Sequence, residues 1–466
     1  MRRFAWLVLA GAPALLGAQG FGIYEHGSCS MARAGTGVAA PCPDGSAIFF
    51  NPAGLAGLTG GHLSAGATLI VVTGGFTDDV FGQETDLDND PIPVPHLYVA
   101  YGLSSRLGVG VGVFAPYGLQ TKWPLSFDGR FSGYDNKIRT IYIQPTVAYQ
   151  ILPWLSFGAG LDIVTGKIEL DQRADLAVVG VPTSLGVPAG TLFGQFGIPP
   201  GTDFADVHLE ATGTKVTSHW GVIVKVSDRL SFGGRYLMHA KIGYDGDATF
   251  AQVLTNLVIP ATITVGPLTI PAGTPVDLFL TSPPLDVFNT ALRDSTITGT
   301  ITNPEQLVFG LAWKLRDDLT TFFDYQWVRW GKRFTRVFVD FANPATPDLN
   351  LHENYNNTNG FRFGAEWVKD AKLTFRGGYL YHTAGAPPET VTPLLPEGFR
   401  NEFTGGVGVK FSPKLTGDFA YQYIRQNDRR GRTRNPPGNA VPTAGNNNGL
   451  YTFAAHLFGV TFAYTF

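Results

Sequence analysis

Apolar and polar residues alternate with a period of two along most of the chain. In the last eleven residues, HLFGVTFAYTF, Phe458, Val460, Phe462, Tyr464 and Phe466 share one parity, and Leu457, Gly459, Thr461, Ala463 and Thr465 the other. Successive side chains of a strand point to opposite faces, so this segment predicts a strand with one bulky face and one mostly small face. Fourteen such segments begin near His62, Val94, Leu107, Ile138, Leu155, Val207, Leu230, Thr296, Leu319, Asn357, Lys372, Asn401, Leu415 and Tyr451. Tight polar turns such as Ser104-Ser105, Leu152-Pro153, Ser227-Asp228 and Ser412-Pro413 join them in pairs. Long connections, roughly 74–92, 115–136, 171–204, 251–294, 341–355, 384–399 and 428–450, separate the pairs.

Strict alternation of short and long joins is the layout of an up-and-down barrel with short periplasmic turns and long extracellular loops. A closed barrel also leaves no backbone edge unpaired in lipid. The fold class expected is therefore all-β, a transmembrane 14-stranded antiparallel up-and-down barrel over residues 62–466. Outward faces would carry Val109, Val111 and Val113, Leu230, Phe232, Tyr236, Met238 and Ile242, Phe361, Phe363 and Trp367, and Leu373, Phe375, Tyr379 and Tyr381. Inward faces would carry Gly108, Gly110 and Gly112, Ser231, Arg235, His239 and Lys241, Arg362 and Glu366, and Arg376.

Two further segments precede the barrel. Arg2 and Arg3, the apolar run Phe4–Leu16 and the small residues after it read as a secretory signal peptide, residues 1–18. The run is too short for a membrane anchor and contains Pro13. Residues 19–61 lack a period-2 pattern and are rich in Gly and Pro, yet Ile48, Phe49, Phe50 and Leu55 need burial. A compact hatch, or plug, inside the lumen meets both facts; a loose periplasmic tail is the alternative. Cys29 and Cys42 are the two cysteines, and in an exported chain such a pair suggests a disulfide, with two free thiols as the alternative.

Composition narrows the class. Charged residues are only 15% and aromatics are 13%, with 58 glycines, which favours a membrane barrel with aromatic girdles over about three soluble domains. A formal charge of −3 offers nothing to nucleic acid. No metal-ligand cluster, cofactor motif or paired Ser and Asp beside His219 or His239 is evident, so no enzyme, metal or cofactor is expected.

Several stretches resemble the FadL family of outer-membrane transporters of long-chain fatty acids and hydrocarbons. They are GFGIYEHG (20–27), ARAGTGVAA (32–40), SAIFFNPAGLAGL (46–58), VGVFAPYGLQTKWP (111–124), IYIQPTVAYQILPWLSFGAGLDI (141–163), LTFRGGYLY (373–381), LLPEGFR (394–400) and LTGDFAYQYI (415–424). The NPAGL element, Asn51–Leu55, is the most specific. The resemblance implies a fourteen-strand barrel with an N-terminal hatch and passive uptake of hydrophobic molecules. Cargo would be caught between two long loops, move to an inner site near the hatch tip and leave through a gap at a kink in the third strand. The final Phe466 likewise resembles the signal read by the barrel-insertion machinery, and a monomer in the bacterial outer membrane is expected, with outer-membrane lipid as a further partner.

The candidate site residues follow. Connections 176–200 and 255–288 are apolar although loops usually face water, so they are expected to hold apolar cargo. Phe193, Phe196, Leu257, Ile259, Leu278 and Phe279 would line that groove, unless the two loops bury these residues against each other. Phe21, Gly22 and Ile23 form the hatch tip, and Asn51 and Pro52 would hold the hatch to the wall. Gly108, Gly110, Gly112 and Pro116 would let the third strand bend, or else leave space for the hatch. Arg235 and Lys241 are the preferred partners for a fatty-acid carboxylate, ahead of Arg362 and Arg376, which with Asp162, Asp324, Glu366 and Asp418 suit an ion network holding the hatch. The function expected is passive transport of long-chain fatty acids. The alternatives are aromatic or aliphatic hydrocarbon uptake, a general diffusion porin, and a barrel lipid hydrolase.

Overall fold

A computed structural model describes residues 20–183, 186–265, 268–434 and 447–466; the expected signal peptide lies outside them. The wall strands are β1 (Gly60–Asp78), β2 (Ile92–Gly102), β3 in two pieces (Leu107–Phe114 and Gly118–Lys122), β4 (Asp135–Leu152) and β5 (Leu155–Asp175). Next come β6 (Asp203–Lys225), β7 (Leu230–Leu237 and Ala240–Gln252), β8 (Ser295–Asn303 and Gln306–Arg316) and β9 (Leu319–Val328 and Arg336–Phe341). The last are β10 (Thr358–Val368), β11 (Leu373–His382), β12 (Arg400–Lys410), β13 (Leu415–Gln426) and β14 (Gly449–Thr465). Each pairs antiparallel with the one before, and β14 pairs back onto β1 from His62↔Thr465 to Asp78↔Gly449, closing the barrel. Phe466 completes the seam by exchanging two backbone hydrogen bonds of 2.9 Å with Gly61.

The polarity of a soluble protein is inverted. Phe157, Leu161, Trp220, Phe309, Trp313, Phe363, Phe403 and Phe458 are exposed, whereas Gln144, His219, Arg235, Asp324, Arg362 and Gln422 are buried. This is the alternation of a lipid-facing wall around a polar lumen. One assignment fails. In β7 the strand breaks at Met238 and His239, and the parity shifts by one. Arg235 and Leu237 face in, but beyond the break Ala240, Ile242 and Tyr244 face in and Lys241 faces out. A bulge inserts one residue without a partner, and a one-residue slip exchanges the faces. Lys241, expected inside, is therefore on the outer wall, Ile242 is inside, and the His239 ring lies with Arg333, 3.2 Å away.

The segment from residue 20 to Leu58 fills the lumen. It holds only short helical turns, α1 (Ser28–Ala32), α2 (Ala47–Phe50) and the 3-10 turn Pro52–Leu55. Turns this short do not persist alone, so the wall must hold them. Cys29 and Cys42 are joined by a disulfide. Asp324 accepts from the amides of Gly37 and Val38 at 2.9 and 3.2 Å. Asn51 caps the turn at Pro52 and donates through Nδ2 to the carbonyls of Val38 and, on the wall, Val222, at 2.6 and 3.0 Å. Arg376 bridges Glu366 and Asp418, and Arg33 of the segment reaches Glu366 at 3.8 Å. Glycines on the wall admit this close contact. A Cβ on Gly108 would lie 2.0 Å from the Leu55 carbonyl oxygen, and on Gly110 or Gly112 it would strike Ile48 at 2.9 or 2.8 Å.

The third and fourth long loops pack on each other. Leu176, Val181, Phe193, Ile198, Ile259, Val276, Leu280 and Leu285 form a core of their own, apart from the lumenal one.

Replacing Gly108 by Val should push Leu55 off the wall at a cost of about 1–3 kcal/mol. Gly243, whose Cβ would meet nothing within 4 Å, should tolerate Ala. Protease resistance of residues 20–58 in the assembled barrel is the measurement; equal resistance in both variants would contradict this packing.

Candidate functional site: a window in the barrel wall

The β2–β3 ladder stops at Leu97↔Val113. Above it, Ala115 and Pro116 interrupt β3, and its upper piece, Gly118–Lys122, pairs only with β4. The wall closes again higher up, where the Asp88 amide donates to the Lys122 carbonyl at 2.8 Å and Asn89 Nδ2 donates to the Gln120 carbonyl at 2.9 Å. Between these two seams lies a window with Ile92–His96 on one side and Ala115–Leu119 on the other.

An open edge in lipid normally leaves amide donors unsatisfied, each at a cost of several kcal/mol. The sequence PIPVP (91–95) avoids this. Gly61 exchanges its backbone bonds with Phe466 on β14, so its β2 partner Tyr101 turns its own amide toward β3. Backbone groups alternate sides along a strand. Pro93 and Pro95 share the parity of Tyr101, and a proline has no N–H to leave unpaired. On the facing edge Pro116 also lacks an N–H. The Pro116 carbonyl accepts from Ile23 N at 2.9 Å, and Gly118 N donates to the Phe21 carbonyl at 2.9 Å. The tip of the N-terminal segment thus makes a single antiparallel bridge, Gly22 with Tyr117, against the kink from inside.

That tip is fixed by aromatic packing. Phe21 is buried edge-on against Trp330, Phe334 and Tyr117, with centroids 4.8, 5.3 and 6.0 Å away. Gly20 sits so close to Trp330 that a Cβ would lie 2.4 Å from its ring, and its φ of +62° suits glycine. The Gly20 amide donates to Glu397, whose other oxygen accepts from Gly385 N at 3.1 Å. Burial pushes the Glu397 carboxyl up, against the pull of Arg400. Burial and the nearby Glu397 push Glu353 up to about 8.

A cavity of about 310 Å³ lies behind the window. Phe21, Ile23, Ile70, Val94, Phe114, Ile138, Ile424 and Leu457 make its lining mainly apolar, and Glu25, Glu397, Glu402, Arg139 and Arg400 are its charged groups. The buried Nε of Arg400 has no hydrogen-bond partner among the described residues.

Residues 9–466 match the family described as outer membrane protein transport protein (OMPP1/FadL/TodX). The chain belongs to this family. Among curated FadL-family relatives, it is 23% identical to outer membrane protein P1 of Haemophilus influenzae over 100% of both chains, and 23% identical to the long-chain fatty acid transport protein of Escherichia coli O6:H1 over 99% of both. Its fold is similar to the crystal structure of a Pseudomonas aeruginosa FadL homologue, at 18% identity, 96% and 100% coverage and a TM-score of 0.76. The toluene transporter TodX of P. putida is similar at 19% identity, 95% and 99% coverage and a TM-score of 0.67. This FadL/TodX-family chain is an outer-membrane β-barrel transport protein.

The residues singled out from sequence fall into four groups. Phe21, Gly22 and Ile23 line the cavity. Arg235 donates to the Phe49 carbonyl at 2.6 Å and to Gln306 at 3.0 Å, lies 4.5 Å over the Phe49 ring and is outside the cavity lining. Gly108, Gly110 and Gly112 face the N-terminal segment, and the break falls after them. Among the loop residues, Phe193 and Ile259 are buried in the shared core, Phe196, Leu257 and Phe279 flank it, and Leu278 is exposed. Trp330 escaped sequence reasoning because nothing local marks it, and Glu397 and Arg400 were quoted only within the family-like stretch LLPEGFR, which carries no sign that they border a cavity. The proline alternation at 91–95 was a readable signal for the window.

The raised Glu353 has a defined consequence for pH. Its folded pKa of about 8 lies above the ordinary 4.5, so the native state binds more protons between those values and stability falls as pH rises through them. Exchange at the Glu353 and Asn354 amides, which donate to the Thr335 carbonyl at 2.9 and 3.0 Å, should accelerate beyond intrinsic base catalysis from pH 4.5 to 8. Glu353→Gln should flatten that response; an unchanged response would disprove the assignment.

Proposed function

We propose that the protein carries hydrophobic compounds passively, with long-chain fatty acids the first substrate class, and releases them sideways through the window between β2 and β3. The observation that carries this reading is an apolar cavity reaching from Phe21 and Ile23 to Val94 and Leu119 at the window. Each CH₂ moved out of water gains about 0.8 kcal/mol, so an acyl chain favours a path from loops to cavity to bilayer that avoids the aqueous phase. In this reading residues 19–61 act as a hatch, and the tip 21–23 withdraws from Pro116 and Gly118 when cargo arrives. The exposed apolar side chains of Val178, Leu254, Val258 and Leu278 on the two packed loops provide first capture.

Arg400 replaces Arg235 and Lys241 as the proposed carboxylate partner, because it lines the cavity with an unpaired nitrogen. The volume supports a second reading. About 310 Å³ is near the lower end of ligand sites, which suits a monoaromatic or short hydrocarbon such as the toluene for which TodX is named.

Cysteines at Val94 and Leu119, bridged by a bifunctional thiol reagent, should abolish uptake and recover it on reversal; undiminished uptake would favour an axial route. Arg400→Gln should weaken fatty-acid binding about tenfold, the loss of one charged hydrogen bond, and leave toluene binding unchanged. Equal effects on both would remove Arg400 from headgroup recognition.

A further inference from the structure

The outer wall has a second irregularity, and it faces the membrane. Between Val328 and Arg336 the chain leaves β9. The detour sends Trp330 and Phe334 inward onto Phe21 and leaves Ile301–Glu305 of β8 without a ladder partner on the β9 side. On the outside this makes a concavity of about 440 Å³. Its lining is polar, with Thr298, Thr300, Thr302 and Thr335 beside Lys241, Arg333 and Arg336, and Asp340 is its one acid.

Position and charge together give this concavity a chemistry. Lys241 and the β8 threonines lie on the face opposite Ile242, Ile297 and Ile301, which pack in the lumenal core. On the same strands the outward apolar surface runs from Trp313 through Phe309 to Met238, and Lys241 comes directly after it toward the long loops. This is the level of outer-leaflet headgroups. Arg333 is paired with Glu305 at 2.7 Å, as is Arg329 at 3.0 Å. Among the described residues, Lys241 and Arg336 take part in no ion pair. Lys241 and Arg336 supply donors alone, the threonine hydroxyls can donate beside them, and with Asp340 the one acid of the lining the cations are in excess, so a phosphate oxygen is an acceptor such a set takes.

We propose that this concavity binds a phosphate monoester on the headgroup of an outer-leaflet glycolipid. The lipid tails lie along Phe309 and Met238 while Lys241, Arg336 and the threonines hold the phosphate. The site takes no part in cargo transport as proposed above, and its test is independent of that reading.

The full-length barrel in nanodiscs containing bis-phosphorylated lipid A tests this by native mass spectrometry. Wild-type protein should retain the lipid, and the double variant K241Q/R336Q should retain it about 30-fold less tightly, roughly fivefold for each charge lost. Lys314→Gln, at the short-turn rim, should match wild type. Lipid A stripped of phosphate should bind as weakly to wild type as the intact lipid binds to the double variant. Equal retention by the double variant and wild type would overturn the site. Displacement of the lipid by millimolar inorganic phosphate would also overturn it, by showing a free-anion site. Should the double variant fail to show a heat-modifiable barrel, the salt dependence of wild-type retention decides: loss with rising salt supports the phosphate contact, and indifference to salt refutes it.

Discussion

The requirement that every backbone polar group find a partner governs this molecule more than any single contact. In lipid an unpaired amide is too costly to leave, so the wall must be a closed ladder. The window between β2 and β3 asks for the opposite, a break in that ladder. The structure reconciles the two by removing donors instead of satisfying them. Pro93 and Pro95 face the break from β2 and Pro116 faces it from β3. At the kink the Pro116 carbonyl and the Gly118 amide bond to Ile23 and Phe21 from inside. A wall built this way can have a standing window without an edge that other strands would seek.

The same constraint ties the window to the lumen. Because Ile23 and Phe21 complete the hydrogen bonding of the kink, the tip cannot move without exposing Pro116 and Gly118. The tip in turn rests on Trp330 and Phe334, which reach it only because β9 detours between its two pieces. Its first described amide rests on Glu397, from the loop after β11. Three distant stretches of chain therefore meet at one aromatic and carboxylate cluster. Glu397, which accepts from the Gly20 amide, is held by burial in a state that carries a proton more readily than an exposed carboxyl does.

Lumenal charge serves mainly to hold the N-terminal segment. Arg235, Arg362, Arg376 and Asp324 are hydrogen-bonded to that segment or paired with neighbouring wall residues. Buried charges are tolerable only when paired or hydrogen-bonded, and a segment with little regular structure offers many carbonyls and amides for the purpose. Arg400 differs because it borders empty space instead of the segment. The packed third and fourth loops follow a related logic. Apolar residues in a solvent-facing loop bury each other first, and only the remainder, such as Leu278, stays exposed.

Much of the architecture could be read from the chain itself. Period-2 alternation and the strict sequence of short and long joins determined the strand number, the closed barrel and the outward face of nearly every strand, because these depend on local geometry and on the solvent each face meets. Motifs such as NPAGL at 51–55 pointed to the family. The tertiary structure alone decided what depends on register and on distant encounters. The bulge at Met238-His239 turned Lys241 outward, a shift that residue type does not announce because either parity of that segment looks amphipathic. The detour of β9 brought Trp330 to Phe21, and the loop at Glu397 and Arg400 came to border the cavity. These placements follow from how a ring of fourteen strands closes around a folded segment, which is a property of the whole chain and not of any stretch within it.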